Sequence, residues 1–292
     1  MANVMTQQAW AAAPMVVAGS MPAYAAVIRA YQCTPMLEAL VRGLRAQSAP
    51  PAEIIVVDSS HSEETAQAFA ALGVTVAPYP EAEFNYSRAI NVGVDINAHD
   101  YTLIISSHIR LQDPDVIRDG WADMEAHGVE AGFFTYLYPD GFGQTRLIVL
   151  DRHVFDGRNG ISNSMSLLPT ARLRERPFRP EVFSAEDQEW TRYYLRTFRR
   201  PILRMETKRI AYDNPNHSGN TWSLRKLLNE EIAIGHFVNR RLLMPDRIAL
   251  RFARGVLAGL RGRPERARLH LGHAKALFMA NFVMPTNTSR YF

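Results

Sequence analysis

The stretch 101-YTLIISSHIRLQDPD-115 decides how this chain folds. Its apolar run through Ile105 predicts a buried strand that emerges at Ser106-Ser107-His108, and Asp113-Pro114 then predicts the start of a helix. In α/β proteins the loop at the carboxyl end of such a strand faces a ligand-binding crevice. The stretch therefore predicts an imidazole and two hydroxyl groups at the edge of a crevice.

Short apolar runs and helical segments alternate along the rest of the first 140 residues. Alternation of this kind with short turns indicates a mostly parallel central sheet with right-handed crossovers, flanked by helices, in a Rossmann-like α/β fold. The predicted strands are 25–30, 53–58, 73–79 and 131–138, and the helices between them are predicted to begin at Thr34, Ser62 and about Ser87.

The second half of the chain has a weaker pattern. Between Gly141 and Tyr212 the sequence is mixed and dense in arginine and proline, which predicts loop-rich structure. From Trp222 onward it becomes helical again, over 222–243 and 247–260.

Composition excludes several classes of protein. Apolar residues make up 47% of the 292 residues, enough for a sizeable core, and the single cysteine, Cys33, excludes a disulfide framework or a multi-cysteine zinc site. No apolar run approaches the ~20 residues of a membrane span. The N-terminal stretch 9–26 lacks a basic segment and contains two prolines, so we expect a flexible lead-in rather than a signal peptide, and the cytosol as the compartment.

Charge is unevenly distributed. Residues 240–275 carry nine Arg and one Lys against Asp246 and Glu265, whereas the whole chain has a formal net charge of +4. A basic tail on a slightly acidic body favours an anionic partner, either a phosphate-rich ligand or a membrane surface. Arginine outnumbers lysine thirty to three throughout, which indicates residue usage rather than a nucleic-acid recognition face, so no nucleic-acid partner is expected.

Two nucleotide-binding signatures are missing from the sequence. No G-x-G-x-x-G follows the first strand and no Walker sequence is present, which argues against a dinucleotide dehydrogenase or a P-loop enzyme.

Four motifs occur in a characteristic order: 27-VIRAYQ-32, 54-IIVVDSSHSEET-65, 84-FNYSRAINVGVDIN-97 and 184-SAEDQEWTRYYLR-196. Together with the opening stretch, they resemble the inverting glycosyltransferases of family 2, which have the GT-A fold, over roughly Ala25 to Lys226. The match is closest to a branch whose first strand ends in Ile-Arg-x-Tyr and whose metal motif reads Ser-x-His.

The resemblance implies a nucleoside-diphosphate sugar as donor and a glycan or lipid-linked acceptor. It assigns binding of the nucleoside base to Asp58, whose alternative role is to cap a helix in a βα turn. The donor-side residues that the resemblance implies are Arg29, Tyr31, Asp58, Ser60, Arg88, Ser107, His108 and Arg225, with Asn91 and Gly93 shaping the helix after Arg88.

In such enzymes an acidic pair provides the general base. The resemblance assigns this role to Asp187, with Glu186 as a supporting or acceptor-binding group and Trp190 on the acceptor side. A single carboxylate base suits an inverting transfer, whereas a hydrolase canonically needs two carboxylates around the bond. The alternative is that the pair merely favours a helix N-terminus.

The family's Asp-x-Asp motif, which holds a divalent cation, is replaced here by Ser106-Ser107-His108. His108 can ligate a cation or, when protonated, pair with phosphate, and the resemblance adds His217 as a second candidate ligand. The alternatives are a loop histidine at each position. The lost carboxylates make dependence on Mn²⁺ or Mg²⁺ doubtful.

The resemblance divides the chain into a lead-in (1–23), a nucleotide-sugar-binding half (24–130), an acceptor-binding and catalytic half of the same domain (131–221) and a helical basic extension (222–292). Arg247, Arg251 and Arg254 share one helical face of the extension, which suits peripheral contact with the inner face of a membrane; packing on the domain is the ordinary alternative. Two other functions stay open: a nucleotidyltransferase, and a non-catalytic nucleotide- or glycan-binding protein on a degenerate scaffold.

Overall fold

The computed structural model of the protein describes residues 21–136, 145–182, 184–213, 224–239 and 245–283, and of residues 224–228 the backbone alone. One large sheet, a two-stranded ribbon and the helices around them account for most of these residues.

Parallel strands form one half of the large sheet. They are β1 (Tyr24–Ala30), β2 (Glu53–Asp58), β3 (Thr75–Pro78) and β4 (Tyr101–Ser106), in the order β3-β2-β1-β4. The connecting helices are α1 (Pro35–Arg45), α2 (Glu63–Ala71) and α3 (Tyr86–Ile96). The predicted alternation of strands and helices in this half is confirmed.

Side-chain caps define where these three helices begin. Thr34, Ser62 and Asn85 each accept a hydrogen bond from the backbone N–H three residues further on, at 3.1–3.3 Å. Gly93 lets α3 lie close on the sheet, because a Cβ atom there would approach Val27 Cγ1 to 2.4 Å. The start of each helix is thereby held next to the carboxyl edge of the parallel strands.

The other half of the large sheet has mixed strand directions. It contains β6 (Gly132–Tyr136), β7 (Arg146–Leu150), β8 (Met165–Pro169) and β9 (Ile202–Thr207), and the full order is β3-β2-β1-β4-β8-β6-β9-β7. β8 is antiparallel to both of its neighbours, β6 and β9 are parallel, and β7 is antiparallel to β9. β5 (Ile109–Leu111) and β10 (Ile210–Tyr212) form a separate antiparallel ribbon.

The prediction of loop-rich structure over 141–212 is wrong for the described part of that range. It contains β7 to β10 and two helices, α5 (Thr170–Glu175) and α6 (Glu186–Thr197). The strands have three to six residues and α5 has six, too few to show a clear period in the sequence. A further helix, α4 (Val116–Ala126), follows the predicted Asp113-Pro114 start.

Helices form the described part of the C-terminal extension. They are α7 (Leu224–Ala233), a π-helical segment (Ile234–Asn239), α8 (Pro245–Leu260) and α9 (Pro264–Met279). The π-helical segment docks Ile234 and Val238 against Val182 and Ala185 just before α6. The α/β fold class with a helical C-terminal extension is confirmed, although the single helix expected over 222–243 changes to π-helical geometry at Ile234. None of the described helices is long and apolar enough to cross a membrane.

Candidate active site

The carboxyl ends of the parallel strands form the edge at which the candidate site lies. β1 lies between β2 and β4, so that Ala30 is opposite Asp58 and Arg29 is opposite Ser106. Neighbouring strands are about 5 Å apart, so these residues share one narrow edge. The connections from β1 and β4 leave in different directions here, which is the position where ligands bind in open α/β sheets.

The loop after β2 is held firmly against the end of β1. Ser59 donates to the carbonyl oxygen of Ala30 through both its backbone N–H, at 3.0 Å, and its hydroxyl, at 2.9 Å. The buried carboxylate of Asp58 accepts a hydrogen bond from the Ser60 N–H at 2.8 Å. Asp58 therefore lies in a fixed turn at the sheet edge, with Ser60 half-buried beside it, whereas the Tyr31 side chain is 65% exposed.

Arg29 places a guanidinium group at the same edge. Its Cζ atom lies 4.9 Å from the centroid of the Tyr86 ring, a cation–π contact. The Nη1 atom is buried and has no hydrogen-bond partner among the described residues. Burying a charged donor without a partner is costly, so the position suits an anionic ligand that completes it.

Tyr86 connects this guanidinium to the acidic part of the site. Burial is the main cause that raises the pKa of the Tyr86 hydroxyl; the charge of Arg29 lowers it, and Glu186, Tyr212 and Glu230 raise it further. These opposing charges act on one side chain, so Arg29 and the carboxylates belong to a single electrostatic environment.

The Ser106-Ser107-His108 turn leads from β4 into β5 and is half-buried. The backbone carbonyl of His108 accepts a hydrogen bond from Asp213 N–H at 2.9 Å, and the imidazole lies edge-on to the Tyr212 ring, with centroids 5.9 Å apart. Tyr212 in turn stacks on Tyr136 at 5.5 Å. The β5–β10 ribbon therefore positions His108 at the strand end where the sequence predicted it.

The acidic pair opens α6. Glu186 is buried, and its Oε1 atom accepts a hydrogen bond from Asn163 Nδ2 at 2.9 Å, while its buried Oε2 atom has no donor among the described residues. Asp187 is half-buried, and its Oδ1 atom accepts from Gln188 N–H at 2.7 Å.

The surroundings of Asp187 favour its protonated form. Burial, with the charges of Glu186 and Glu230, raises the pKa of the Asp187 carboxyl to about 8, and backbone N–H groups of Gln188 and Asn163 oppose the rise. A carboxyl with a pKa near neutrality is a stronger base than an ordinary aspartate, as general-base chemistry requires. Glu230, in α7, takes part in this environment although the sequence did not single it out.

Hydrogen bonds fix the segment that leads to the acidic pair. From α3, Ser87 Oγ donates to the carbonyl oxygen of Arg179 at 2.8 Å, and Asn91 binds both the carbonyl oxygen and the N–H of Phe178, at 2.8 and 3.0 Å. Asn91 was predicted to shape the turn of its own helix; the structure shows that it clamps a chain segment 87 residues away. No local sequence signal distinguishes this role.

A second group of hydrogen bonds attaches the first turns of α6 to the loop before β8. Gln188 accepts from Gly160 N–H and donates to the carbonyl oxygen of Ile161, both at 2.9 Å. Thr191 Oγ1 accepts from Ile161 N–H at 2.9 Å and donates to the carbonyl oxygen of Asp187 at 2.8 Å. The acidic pair is thus held from both sides.

Several predicted site residues do not join this group. Trp190 is completely buried and donates through Nε1 to the carbonyl oxygen of Arg176, so it belongs to the core and does not form an acceptor surface. The exposed side chain of Arg88 pairs with Glu81 instead of facing the crevice. His217 lies outside the described residues, and for Arg225 the backbone alone is described.

Comparisons with known proteins identify the family and the fold. The family model for glycosyl transferase family 2 matches residues 25–170, half of the chain. Comparison with the sequences of curated proteins gave no match.

Among solved structures, the mannosyltransferase PcManGT from Pyrobaculum calidifontis, in complex with GDP-Man and Mn²⁺, has a TM-score of 0.60 at 15% identity, covering 92% of this chain and 76% of that one. TarS from S. aureus (residues 1–349) has a TM-score of 0.53 at 16% identity, covering 89% and 90%. Glucosyl-3-phosphoglycerate synthase from Mycobacterium tuberculosis has a TM-score of 0.55 at 12% identity, covering 74% and 79%. At these identities the similarity shows a shared GT-A fold, and the match of the family model shows that the chain belongs to glycosyltransferase family 2.

Proposed function

We propose that the protein is an inverting glycosyltransferase that moves a sugar from a nucleoside-diphosphate donor to a hydroxyl group of a glycan or lipid-linked acceptor, with Asp187 as the general base. One observation carries the proposal: the Asp187 carboxyl has a pKa raised to about 8 and shares its electrostatic environment with the guanidinium of Arg29, whose buried Nη1 atom has no hydrogen-bond partner among the described residues. An inverting transfer needs both, one base for the acceptor hydroxyl and positive charge for the departing diphosphate.

The donor would bind along the carboxyl edge of the parallel strands. Asp58, held in its turn after β2, offers its remaining carboxylate oxygen to an N–H group of the nucleoside base, with Ser60 beside it. Arg29 Nη1 donates to the diphosphate, which supplies the partner that this buried group lacks among the described residues. Ser107 and His108 follow β4 at the same edge, a position that suits the imidazole to contact the diphosphate.

At the reacting centre, Asp187 takes the proton of the acceptor hydroxyl as its oxygen attacks the anomeric carbon. The bond from that carbon to the diphosphate breaks on the opposite face of the sugar, which inverts the configuration. Glu186 Oε2 lacks a donor among the described residues and is suited to accept a hydrogen bond from a second hydroxyl of the acceptor. Because the pKa of Asp187 is raised, transfer of the proton to this carboxylate is more favourable than transfer to an ordinary carboxylate.

The side chains at the end of β4, Ser106, Ser107 and His108, are a poor set of ligands for a divalent cation. No three His, Cys, Asp or Glu side chains of the described ranges lie close enough together to hold a metal ion. His108 is an imidazole among serines, whereas Mn²⁺ and Mg²⁺ prefer several carboxylate oxygens. We therefore assign no step to a cation and propose that side chains, foremost Arg29, supply the positive charge at the diphosphate.

A lipid-linked acceptor would be consistent with the surface of α8. The helix packs on α9 through Gly255 and Ala258, but Phe252 is 57% exposed and Leu260 is 81% exposed. Apolar side chains at the surface among arginines are typical of helices that lie at an anionic bilayer surface. We propose peripheral contact of α8 with the cytoplasmic face of a membrane.

The test begins with a thermal-shift screen of nucleoside diphosphates, with Mn²⁺, Mg²⁺ or a chelator, followed by transfer assays with the matching nucleotide sugars. GDP-mannose and UDP-N-acetylglucosamine are the first donors to try, because PcManGT and TarS bind them. With the donor and acceptor for which transfer is detected, Asp187→Asn should lower kcat by a factor of roughly 10²–10⁴ and leave the affinity for the donor unchanged. Asp95→Asn, an exposed change on α3, is the matched control.

Two results would contradict the proposal. Asp187→Asn turning over at the parental rate would remove Asp187 as the base. A protein that binds nucleotide sugars and transfers none of them to any acceptor would instead be the non-catalytic binding protein that the sequence left open.

A further inference from the structure

A second cleft lies towards the carboxyl end of α6, whereas the acidic pair is in its first turn. Its volume is about 640 Å³, and it is bounded by the loop after β7, the carboxyl-terminal half of α6, the end of the π-helical segment and the start of α8. Asp187 is in the first turn of α6 and Arg196 in the last, so the two lie about 13 Å apart along the helix axis. None of the residues assigned to the glycosyl transfer lines this cleft.

Arginine dominates the lining of this cleft. Five guanidinium groups face one carboxylate, which gives a local formal charge of +4, equal to that of the entire chain. The carboxylate, Asp156, already accepts hydrogen bonds from the N–H groups of Arg158 and Asn159, at 2.8 and 3.1 Å. The five arginines are Arg152, Arg192, Arg196, Arg199 and Arg247.

Many arginines elsewhere in the α/β domain are ion-paired. Arg172, Arg176 and Arg209, for example, each bind a carboxylate at 2.6–3.1 Å. By contrast, no carboxylate of the described residues comes within 4.0 Å of the side-chain nitrogens of Arg152, Arg196, Arg199 or Arg247. The fifth arginine of the cleft, Arg192, donates hydrogen bonds to the carbonyl oxygens of Phe237 and Val238. Arg152, Arg196 and Arg199 are exposed and Arg247 is half-buried, so four cations without a carboxylate partner among the described residues are accessible to an anion in this concave surface.

Several contacts hold the loop that carries Arg152. Asp151 Oδ1 accepts hydrogen bonds from the N–H groups of His153 and Val154, at 2.7 and 2.9 Å. Further along, Gly157 has a φ of 93° and lies so close to the π-helical segment that a Cβ atom would be 2.2 Å from Asn239 Oδ1. The ion pair between Arg158 and Glu231 anchors the loop to α7. The cleft is therefore preformed on this side.

Helix electrostatics alone do not account for the cluster. Arg196 and Arg199 lie at the carboxyl end of α6, where a cation gains about 0.3–1 kcal/mol from the helix dipole. Arg152 and Arg247 come from other elements, the loop after β7 and the start of α8, so their presence in the cleft does not follow from the sequence of α6. Convergence of cations from three elements on one cavity needs a further explanation.

We propose that this cleft is a binding site for a phosphate-bearing anion, a diphosphate or phosphate ester with at least two negative charges, distinct from the donor site. Guanidinium groups bind phosphate oxygens in pairs of parallel hydrogen bonds, and Arg152, Arg196, Arg199 and Arg247 all line this cleft. The site goes beyond the proposed glycosyl transfer and does not depend on it. Its ligand is either a soluble phosphate compound or the headgroup of a phospholipid.

The first test is calorimetric titration with inorganic pyrophosphate, in chelator and at low salt, in the background of Arg29→Gln to weaken the donor site. Adding Arg196→Gln and Arg199→Gln should reduce pyrophosphate affinity at least tenfold. The matched control adds Arg266→Gln and Arg268→Gln, which remove the same charge from the exposed surface of α9 and should change the affinity less than twofold.

A second measurement uses the unaltered chain and so avoids any effect of substitution on folding. Phenylglyoxal modifies accessible arginines, and mass spectrometry reads each site separately. Pyrophosphate should slow modification of Arg196 and Arg199 severalfold and leave Arg266 and Arg268 unchanged. Equal rates at both pairs with and without pyrophosphate, or equal loss of affinity in the cleft and control variants, would overturn the proposal.

Sedimentation with vesicles distinguishes the two sources of the phosphate. The probes are vesicles of phosphatidylcholine alone and of phosphatidylcholine mixed equally with phosphatidylglycerol. Loss of binding to the mixed vesicles in the cleft variant, but not in the control variant, would assign a lipid headgroup to the cleft. Equal vesicle binding by both variants, with pyrophosphate affinity lost in the cleft variant alone, would assign a soluble phosphate compound.

Discussion

Replacing Asp187 by asparagine should stabilise the protein, and the gain should grow with pH. In the unfolded chain an aspartate titrates near about pH 3.9, whereas the folded protein raises the pKa of Asp187 to about 8. The folded state therefore binds the proton more tightly. The stability that this contributes is complete below about pH 4 and is lost as pH rises through about 8. An amide carries no charge at any pH and avoids the loss.

The size of the effect follows from the shift. About four pKa units correspond to at most about 6 kcal/mol of differential interaction. The titration of Asp187 is coupled to the charges of Glu186 and Glu230, and the Asp187 side chain is only half-buried, so the full value is not reached. We expect Asp187→Asn to raise the free energy of unfolding by about 1–2 kcal/mol at pH 9. For a chain of this size that gain raises Tm by about 2–6 °C.

The assay needs neither donor nor acceptor. Thermal unfolding of the parental chain and of Asp187→Asn is followed by circular dichroism at several pH values between 4 and 9, with Asp95→Asn as the control for charge removal on an exposed helix position. The difference in Tm between Asp187→Asn and the parental chain should be close to zero at pH 4 and increase steadily up to pH 9. A variant that is less stable than the parental chain at pH 9, or a difference that does not vary with pH, would refute the electrostatic account of the site.

Two further substitutions test the donor site and the packing beneath it. Asp58→Ala should weaken binding of the nucleoside diphosphate at least tenfold, about 1.4 kcal/mol, and unchanged affinity by calorimetry would remove Asp58 from the site. Gly93→Ala should destabilise the fold by about 1–3 kcal/mol, because its Cβ would meet Val27 Cγ1 at 2.4 Å. Gly43→Ala in α1 is the matched control, since its nearest neighbour, Leu111 Cβ, is 3.7 Å away; a similar loss of stability in both variants would show that close packing of α3 is not the cause.

The features that the sequence predicted correctly depend on local signals. The apolar run that became β1 and the cap at Thr34 are each contained within a few residues, and both are where the sequence placed them. The strand ends that carry Asp58 and His108 follow from the same runs, so these two residues could be placed at one edge before the structure was known. Periodicity and capping are enough for this half of the fold.

The errors concern side-chain partners that are distant in sequence or compatible with two environments. An aromatic residue after an acidic pair suits an acceptor surface and a core equally, and Trp190 stacks on Tyr194 inside the core. The ion pair of Arg88 with Glu81, seven residues earlier, could not be predicted without knowing the path of the loop between them. Glu230 acts on Asp187 from another helix, and the rotation of that helix about its axis is set by tertiary packing.

Helix α6 contributes to both candidate binding sites, and its electrostatics indicate that they function separately. At the amino end, the helix dipole favours the ionised form of Asp187 by no more than about 1 kcal/mol, yet the pKa of this carboxyl is raised, so burial and the neighbouring carboxylates dominate there. The arginines at the carboxyl end lie about 13 Å away along the axis, beyond the screening length of about 8 Å at physiological salt. They are too distant to tune the base. Their charge is available for holding a ligand in the cleft, which would leave the proton transfer at Asp187 to be governed by its own surroundings.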